Sequence, residues 1–188
     1  MKTWETNLKN RTAKRNHHLF NNDLEVKAMF FTSPCDKGVI RNGGRNGAKH
    51  GPKSLLHHFK KLVATQEEIS FKEVSNGDIY TSSQSFEQMQ ENELALISSH
   101  LSDHSIHLGG GHDHVFPFAS AMIEKYGHIN IVNIDAHLDT RSDDVHHSGT
   151  PFRQLYEKYP KGFSLTQVGI QDCANTPSSF EKMKMDII

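Results

Sequence analysis

The hydrophobic and polar positions of the 188-residue chain follow two spacings that alternate along the sequence. Short runs rich in β-branched and aromatic residues predict strands at 26–34, 69–80, 105–108, 129–134 and 163–170. Apolar residues three or four positions apart predict helices after Pro52, over 85–101, from Phe116, over 148–159 and over 178–185. Strands that alternate with helices through short turns are typical of an α/β fold, with a mainly parallel sheet covered by helices on both faces.

The same pattern predicts a simple domain organisation. Residues 1–23 show no convincing period, and we expect them to form a poorly ordered N-terminal arm. Residues 24–188 contain no internal repeat or low-complexity tract, so we expect them to belong to a single domain. The last three residues, Asp186, Ile187 and Ile188, look like the beginning of a further strand.

Charge and composition exclude several classes of function. The formal net charge is −1 without any basic block, so nucleic-acid binding has no electrostatic support. No stretch approaches the roughly 20 apolar residues of a membrane span. Cys35 and Cys173 lie far apart, and the charged N-terminus has no apolar segment, which predicts a cytoplasmic protein with reduced thiols.

The stretch INIVNIDAHLDTR, residues 129–141, carries the first candidate chemistry. Its apolar half predicts a strand covered on both faces. Asp135, His137 and Asp139 follow at alternate positions, so their side chains would point the same way if the extended geometry continued. Two carboxylates and an imidazole are costly to desolvate without a positive partner, which favours a divalent metal ion.

A second polar stretch, HSIHLGGGHDH, follows another predicted strand and places His112 after three glycines. Alone, such a histidine is more often structural. Because sites gather at the carboxyl ends of parallel strands, His112 is expected to join Asp135, His137 and Asp139 around a common point. Nitrogen and oxygen donors without a thiolate favour Mn²⁺ over a structural zinc ion, and a two-metal centre is the natural inference.

These motifs resemble a known family. GGGHDH and NIDAHLD are similar to the first two metal signatures of the ureohydrolases, the binuclear manganese family of arginase, agmatinase and formimidoylglutamase. Within that family, GVIRNGGRNGAKHGPKSL, LDTR and HHSGTPFRQL resemble formimidoylglutamase, and VGIQDCANT is also similar to family sequences. The resemblance extends from Val26 to Ile188.

The resemblance implies an arginase-like three-layer α-β-α fold and a homo-oligomer. It also implies hydrolysis of N-formimidoyl-L-glutamate to L-glutamate and formamide, a step of histidine degradation. Two Mn²⁺ ions would bind in the complete site. By similarity, His112, Asp135 and Asp139 would ligate one ion, and His137 with Asp135 the other.

Two further residues are candidates for substrate binding. Arg141 could pair with a substrate carboxylate, because its planar guanidinium matches that geometry, although an intrachain salt bridge is an equally open reading. Ser148 lies where arginase-like members carry a histidine, and a serine there argues against arginase. The proton shuttle stays unassigned, with His146 and His147 as alternatives.

The ureohydrolases take two more metal-binding aspartates from a later strand, which this sequence does not reach. We therefore expect a C-terminally truncated formimidoylglutamase whose 188-residue form is inactive. Two alternatives stay open: another ureohydrolase that acts on a guanidino compound, as agmatinase does, and a non-catalytic remnant of the fold.

Overall fold

The computed structural model of the protein describes residues 20, 26–62, 70–77, 80, 83–180, 183 and 185–188. Six strands are present in this part of the chain: β1 (Val26–Ser33), β2 (Ser70–Ser75), β3 (Ser105–Gly109), β4 (Ile129–Ile134), β5 (Phe163–Val168) and β6 (Asp186–Ile187). Five α-helices connect them: α1 (Lys37–Arg41), α2 (Gly51–Lys61), α3 (Phe86–His100), α4 (Val115–Tyr126) and α5 (Pro151–Lys158). The predicted alternation of strands and helices is confirmed.

The described strands form two three-stranded sheets, ordered β2-β1-β3 and β4-β5-β6, and every pairing is parallel. Thr166 of β5 lies opposite Asp186, so the prediction of a strand at the last residues is confirmed. A single sheet was the expectation, however, and among the described residues no strand pairing joins β3 to β4. Each of these two strands is therefore the edge of its own sheet.

Helix α4 connects the two sheets and packs on both. Its Ala119 and Ile123 belong to one buried cluster, whose other buried members are Phe152, Leu155, Leu165 and Met183. Its Ala121 belongs to a second cluster, with Met29, Phe31 and Ile97. Burial of these side chains holds the two sheets to a common helix, since each of the larger ones contributes on the order of 2 kcal/mol of hydrophobic stabilisation.

The prediction that β4 is covered on both faces is wrong. Ile129 and Ile131 pack against the first cluster, but Val132 is 63% exposed and Ile134 is 81% exposed. Neighbouring residues of a strand face opposite sides of the sheet, and among the described residues only one side of β4 is packed. The apolar sequence correctly predicts that these residues form a strand, but it does not predict which face of the strand is covered.

Three further predictions are wrong in part or concern residues that the structure does not describe. The apolar spacing after Pro52 also predicts a buried face that includes Leu55, Leu56 and Leu62, but only Leu56 of these three is buried, and Leu62 lies just after the end of α2. A 3-10 helix, Pro177–Phe180, stands where the last helix was predicted, and residues 181, 182 and 184 lie outside the described part. Of the predicted arm over 1–23, only Phe20 is described. None of the described helices combines the length and the apolar character needed to cross a membrane.

Candidate metal centre

The turn that carries His112 packs against the end of β1. β3 ends at Gly109, and a short 3-10 helix, His112–His114, follows two glycines later. The Gly110 N–H donates a 2.9 Å hydrogen bond to the Ser33 carbonyl. A Cβ at Gly110 would lie 2.2 Å from the Cys35 carbonyl oxygen, so only glycine permits this approach. The glycine run therefore fixes the position of His112.

The substitution Gly110→Ala is accordingly expected to lower the free energy of unfolding by about 1–3 kcal/mol, because the new methyl group displaces backbone. It should also weaken metal binding at His112. Urea unfolding and Mn²⁺ titration would measure the two effects. Gly51→Ala is the matched control, since nothing lies within 4 Å of a Cβ there and its φ of −55° suits any residue. Equal stability of the two variants would contradict the role assigned to Gly110.

The DAHLD loop turns instead of continuing β4. The strand ends at Ile134, and the His137 N–H donates a 2.9 Å hydrogen bond to Oδ1 of Asp135. Asp139 has a φ of +51°, the one positive value at a non-glycine residue among those described. Aspartate tolerates this left-handed conformation better than most residues, but it is still uncommon. The condition of extended geometry past Ile134 is therefore not met, and the chain bends at these two places.

The bend nevertheless brings three of the four predicted ligands together. Nδ1 of His112 contacts Oδ2 of Asp139 and lies 3.7 Å from Oδ2 of Asp135. Each of the three side chains offers one ligand atom, and these atoms lie within 4.8 Å of one another. The remaining candidate, His137, is 58% exposed, with Nδ1 at 3.3 Å from the other oxygen of Asp135. Asp135 thus lies between the two histidines, with one oxygen toward each.

The electrostatics of this site favour a positive charge. Burial alone would lower the pKa of His112, but Asp139 and Asp135 outweigh it and raise the pKa. The two carboxylates therefore stabilise a cation at this place, and a divalent ion would satisfy them in the same way. The donors are oxygen and nitrogen without sulfur, which fits Mn²⁺.

Residues outside the predicted set hold the loop in place. Leu138 is fully buried, its N–H donates to Oδ1 of Asn175 at 2.8 Å, and its carbonyl accepts from Nε2 of Gln167 at 2.8 Å. Asn175 also donates to the Ala136 carbonyl at 2.9 Å. The sequence signal for Asn175 and Gln167 was the segment VGIQDCANT, which resembles family sequences. Asn175 lies within this segment, and Gln167 directly precedes it. Its sequence alone did not reveal what it contacts.

The start of α5 supports both strand ends. The Phe152 ring lies edge-on to the His112 ring, with 5.7 Å between centroids. The Phe152 N–H donates a 3.2 Å hydrogen bond to the Asp139 carbonyl. Phe152 is 1% exposed, so a single buried side chain links the hydrophobic core to two candidate ligands.

Asn42 brings the two candidate substrate-binding residues together. Nη1 of Arg141 donates to Oδ1 of Asn42 at 2.7 Å, and Nδ2 of Asn42 donates to Oγ of Ser148 at 3.2 Å. The other terminal nitrogen of Arg141 forms an ion pair with Asp143. Arg141 therefore forms an intrachain salt bridge, which was one of the two interpretations of this residue. Asn42 was missed, because nothing in the sequence of its glycine-rich loop indicates this contact.

His147, one alternative for the proton shuttle, is buried and bonded through both ring nitrogens. Nδ1 accepts from the Gly149 N–H at 3.0 Å, so Nε2 carries the proton and donates to Asp143 at 2.6 Å. Burial alone would raise the pKa of Asp143, but His147 and Arg141 outweigh it and keep the pKa below its usual value. Asp143 is thus an anion that orients both His147 and Arg141.

A second group of ionisable side chains lies behind the turn. Glu93 of α3 contacts His114, with Nδ1 of the imidazole 2.8 Å from Oε2. Burial by itself lowers the pKa of His114, but Glu93 outweighs it and raises the pKa to about 9. Burial would raise the pKa of Glu93, and His114 and His107 together hold it far below its usual value. Glu93 is therefore a buried anion.

Comparison with known proteins assigns this chain to a family. The family model described as the arginase family matches residues 26–188. The chain belongs to the arginase family. Among curated relatives of this arginase-family chain, formimidoylglutamase of Klebsiella pneumoniae (strain 342) is 32% identical over 155 residues, covering 79% of this chain and 48% of the relative. Formimidoylglutamase of Rhodococcus opacus (strain B4) is 33% identical, covering 81% of this chain and 50% of the relative.

Solved structures agree on the fold of this arginase-family chain. Trypanosoma cruzi formiminoglutamase with Mn²⁺ matches with a TM-score of 0.73 and 29% identity, covering 86% of this chain and 59% of that one. Formimidoylglutamase of Bacillus subtilis matches with a TM-score of 0.79 at 20% identity, covering 95% of this chain and 60% of that one, which shows the fold alone. The predicted α/β class and family are confirmed. The chain spans about half the length of the curated relatives it matches.

Proposed function

We propose that this chain carries part of the manganese site of a formimidoylglutamase, which hydrolyses N-formimidoyl-L-glutamate to L-glutamate and formamide in histidine degradation. The observation that carries the proposal is the convergence of His112, Asp135 and Asp139 at the ends of β3 and β4. The curated relatives named above share this function in their names.

His112, Asp135 and Asp139 would hold one manganese ion, and His137 with Asp135 would hold the other. Two bound manganese ions, when present, supply the Lewis acidity that makes water a nucleophile at neutral pH. Asp135 suits a shared position, because its two oxygens already face different histidines. The residues described here are few for two ions, and the complete site would draw on further ligands.

Arg141 would bind a carboxylate of the substrate, and Ser148 would contact the substrate beside it. The guanidinium is planar and permanently charged, which suits a carboxylate. Asn42 and Asp143 hold it in one orientation, so little side-chain entropy remains to be lost on binding. A dicarboxylic substrate fits such a group better than a cationic guanidino compound does, because like charges repel.

The proposal extends to the organisation and surroundings of the protein. We place residues 24–188 in a single domain that works as a homo-oligomer on a small-molecule substrate in the cytoplasm. Both cysteines are free thiols, which is compatible with a reducing compartment. The net charge of −1 gives no support to a nucleic-acid partner.

The products of hydrolysis test this proposal. The Mn²⁺-loaded chain would be assayed alone and as a fusion that supplies the second half of the Klebsiella pneumoniae relative. We expect formamide from N-formimidoyl-L-glutamate and no urea from agmatine, with the chain alone slower than the fusion by about 100-fold or more, because four candidate ligands are few for two ions. Urea release would favour an agmatinase-like function, and no product from a folded, metal-loaded fusion would favour a non-catalytic protein.

A further inference from the structure

Three ionisable side chains form a buried cluster that the proposed manganese site does not use. Glu93 comes from α3, His107 from β3 and His114 from the turn after β3. Their side chains are 1%, 7% and 5% exposed. Each offers one ligand atom, and these atoms lie within 4.8 Å of one another. The cluster has no member in common with the group of His112, Asp135 and Asp139.

One carboxylate oxygen is the centre of this cluster. Oε1 of Glu93 lies 2.6 Å from Oγ of Ser33, 3.1 Å from Nδ1 of His114, 3.2 Å from Nε2 of His107 and 3.3 Å from Nδ2 of Asn76. Four polar atoms therefore surround a single anionic oxygen. Oδ1 of Asn76, which is fully buried, has no hydrogen-bond partner among the described residues.

The orientation of His114 is that of a metal ligand. Its Nε2 lies 3.0 Å from the Cys35 carbonyl oxygen, so this nitrogen carries a proton and donates it. Metal-binding histidines commonly donate their second ring nitrogen to a carbonyl or carboxylate in this way, which fixes the ring. Nδ1 is then the nitrogen that faces Glu93 and His107, and a bound cation would take the place of the proton that Nδ1 shares with Glu93.

The chemistry of the donors selects the ion. Two imidazole nitrogens and one carboxylate oxygen form a set that zinc accepts in tetrahedral sites, with a fourth position left for another group. Oγ of Ser33 lies 2.7 Å from Nε2 of His107 and 2.6 Å from Oε1 of Glu93, so it borders that fourth position. Manganese prefers oxygen-rich sets, which makes this cluster different from the proposed catalytic one.

We propose that Glu93, His107 and His114 bind a zinc ion, with Ser33 beside the fourth coordination position. The ion would join α3, β1 and β3 behind the turn that carries His112. Without an ion, the same groups form a buried ion pair between Glu93 and His114. That arrangement is the alternative which the experiment must exclude.

The number of zinc ions bound per chain tests the proposal. It is measured in the full chain after the proposed manganese site has been disabled. Asp135→Asn/Asp139→Asn preserves shape while removing two carboxylates from that site. After removal of metal and equilibrium dialysis against Zn²⁺ alone, we expect one zinc ion per chain. Adding His107→Gln should lower the zinc affinity by about 100-fold. Adding His104→Gln, an exposed histidine in the same segment, should leave it unchanged.

X-ray absorption at the zinc edge of the Asp135→Asn/Asp139→Asn chain gives a readout that needs no further substitution. Two nitrogen ligands at about 2.0–2.1 Å are expected. Less than one zinc per chain, a shell of oxygen ligands only, or zinc retained at full affinity after His107→Gln would overturn the proposal in favour of the ion pair.

Discussion

Replacing Asp139 by asparagine is expected to lower the affinity of the chain for Mn²⁺ by about 100-fold or more. Asparagine removes the negative charge that faces Nδ1 of His112, and it offers a weaker ligand of nearly the same shape. It also tolerates the φ of +51° that this position requires. The loss should therefore be one of metal binding, with little change in the fold.

Calorimetric titration with Mn²⁺ would measure this effect, and circular dichroism would check the fold. Asp144→Asn is the matched control, because Asp144 is an exposed aspartate five residues away and belongs to neither described cluster. We expect its affinity to equal that of the unmodified chain. If Asp139→Asn bound Mn²⁺ as tightly as the control, the metal site would lie elsewhere.

Phe152→Ala is expected to lower the free energy of unfolding by about 3–5 kcal/mol. The ring is 1% exposed and belongs to the cluster beneath β4 and β5, so its removal leaves a cavity. The ring also contacts the His112 imidazole, and Mn²⁺ affinity should fall together with stability.

Urea unfolding followed by circular dichroism would measure the change. Phe180→Ala removes the same atoms from a side chain that is 41% exposed, and we expect it to cost less than about 1 kcal/mol. Phe152→Leu should recover most of the stability, because leucine fills much of the cavity. A stable Phe152→Ala variant with unchanged metal affinity would contradict the link between core and ligands.

The convergence of His112 with Asp135 and Asp139 was predictable from sequence. It depends on the fact that each motif follows a strand, which is visible in apolar periodicity and chain order, although β3 and β4 belong to different sheets among the described residues. In the structure the three side chains do come together, but the backbone geometry that brings them together differs from the extended one. The loop bends at Asp139 where an extended chain was expected, and no periodicity reports the φ of a single residue.

Contacts between distant segments were not predictable. Asn42 meets Arg141 and Ser148 across about a hundred positions of sequence, and its glycine-rich loop gives no sign of that contact. The exposure of Val132 and Ile134 was missed for a related reason. A β-branched run specifies a strand, but what covers the strand depends on elements elsewhere in the chain.

Among the described residues, β3 and β4 each have one edge without a strand partner, which has a consequence for how the protein behaves in solution. Backbone N–H and C=O groups along an edge strand are a template on which another extended chain can add. Val132 and Ile134 are exposed on one face of β4, and none of the six residues of this strand carries a charged side chain that would repel an added strand. We therefore expect this edge to accept an added strand, which would pair with backbone groups that have no strand partner among the described residues.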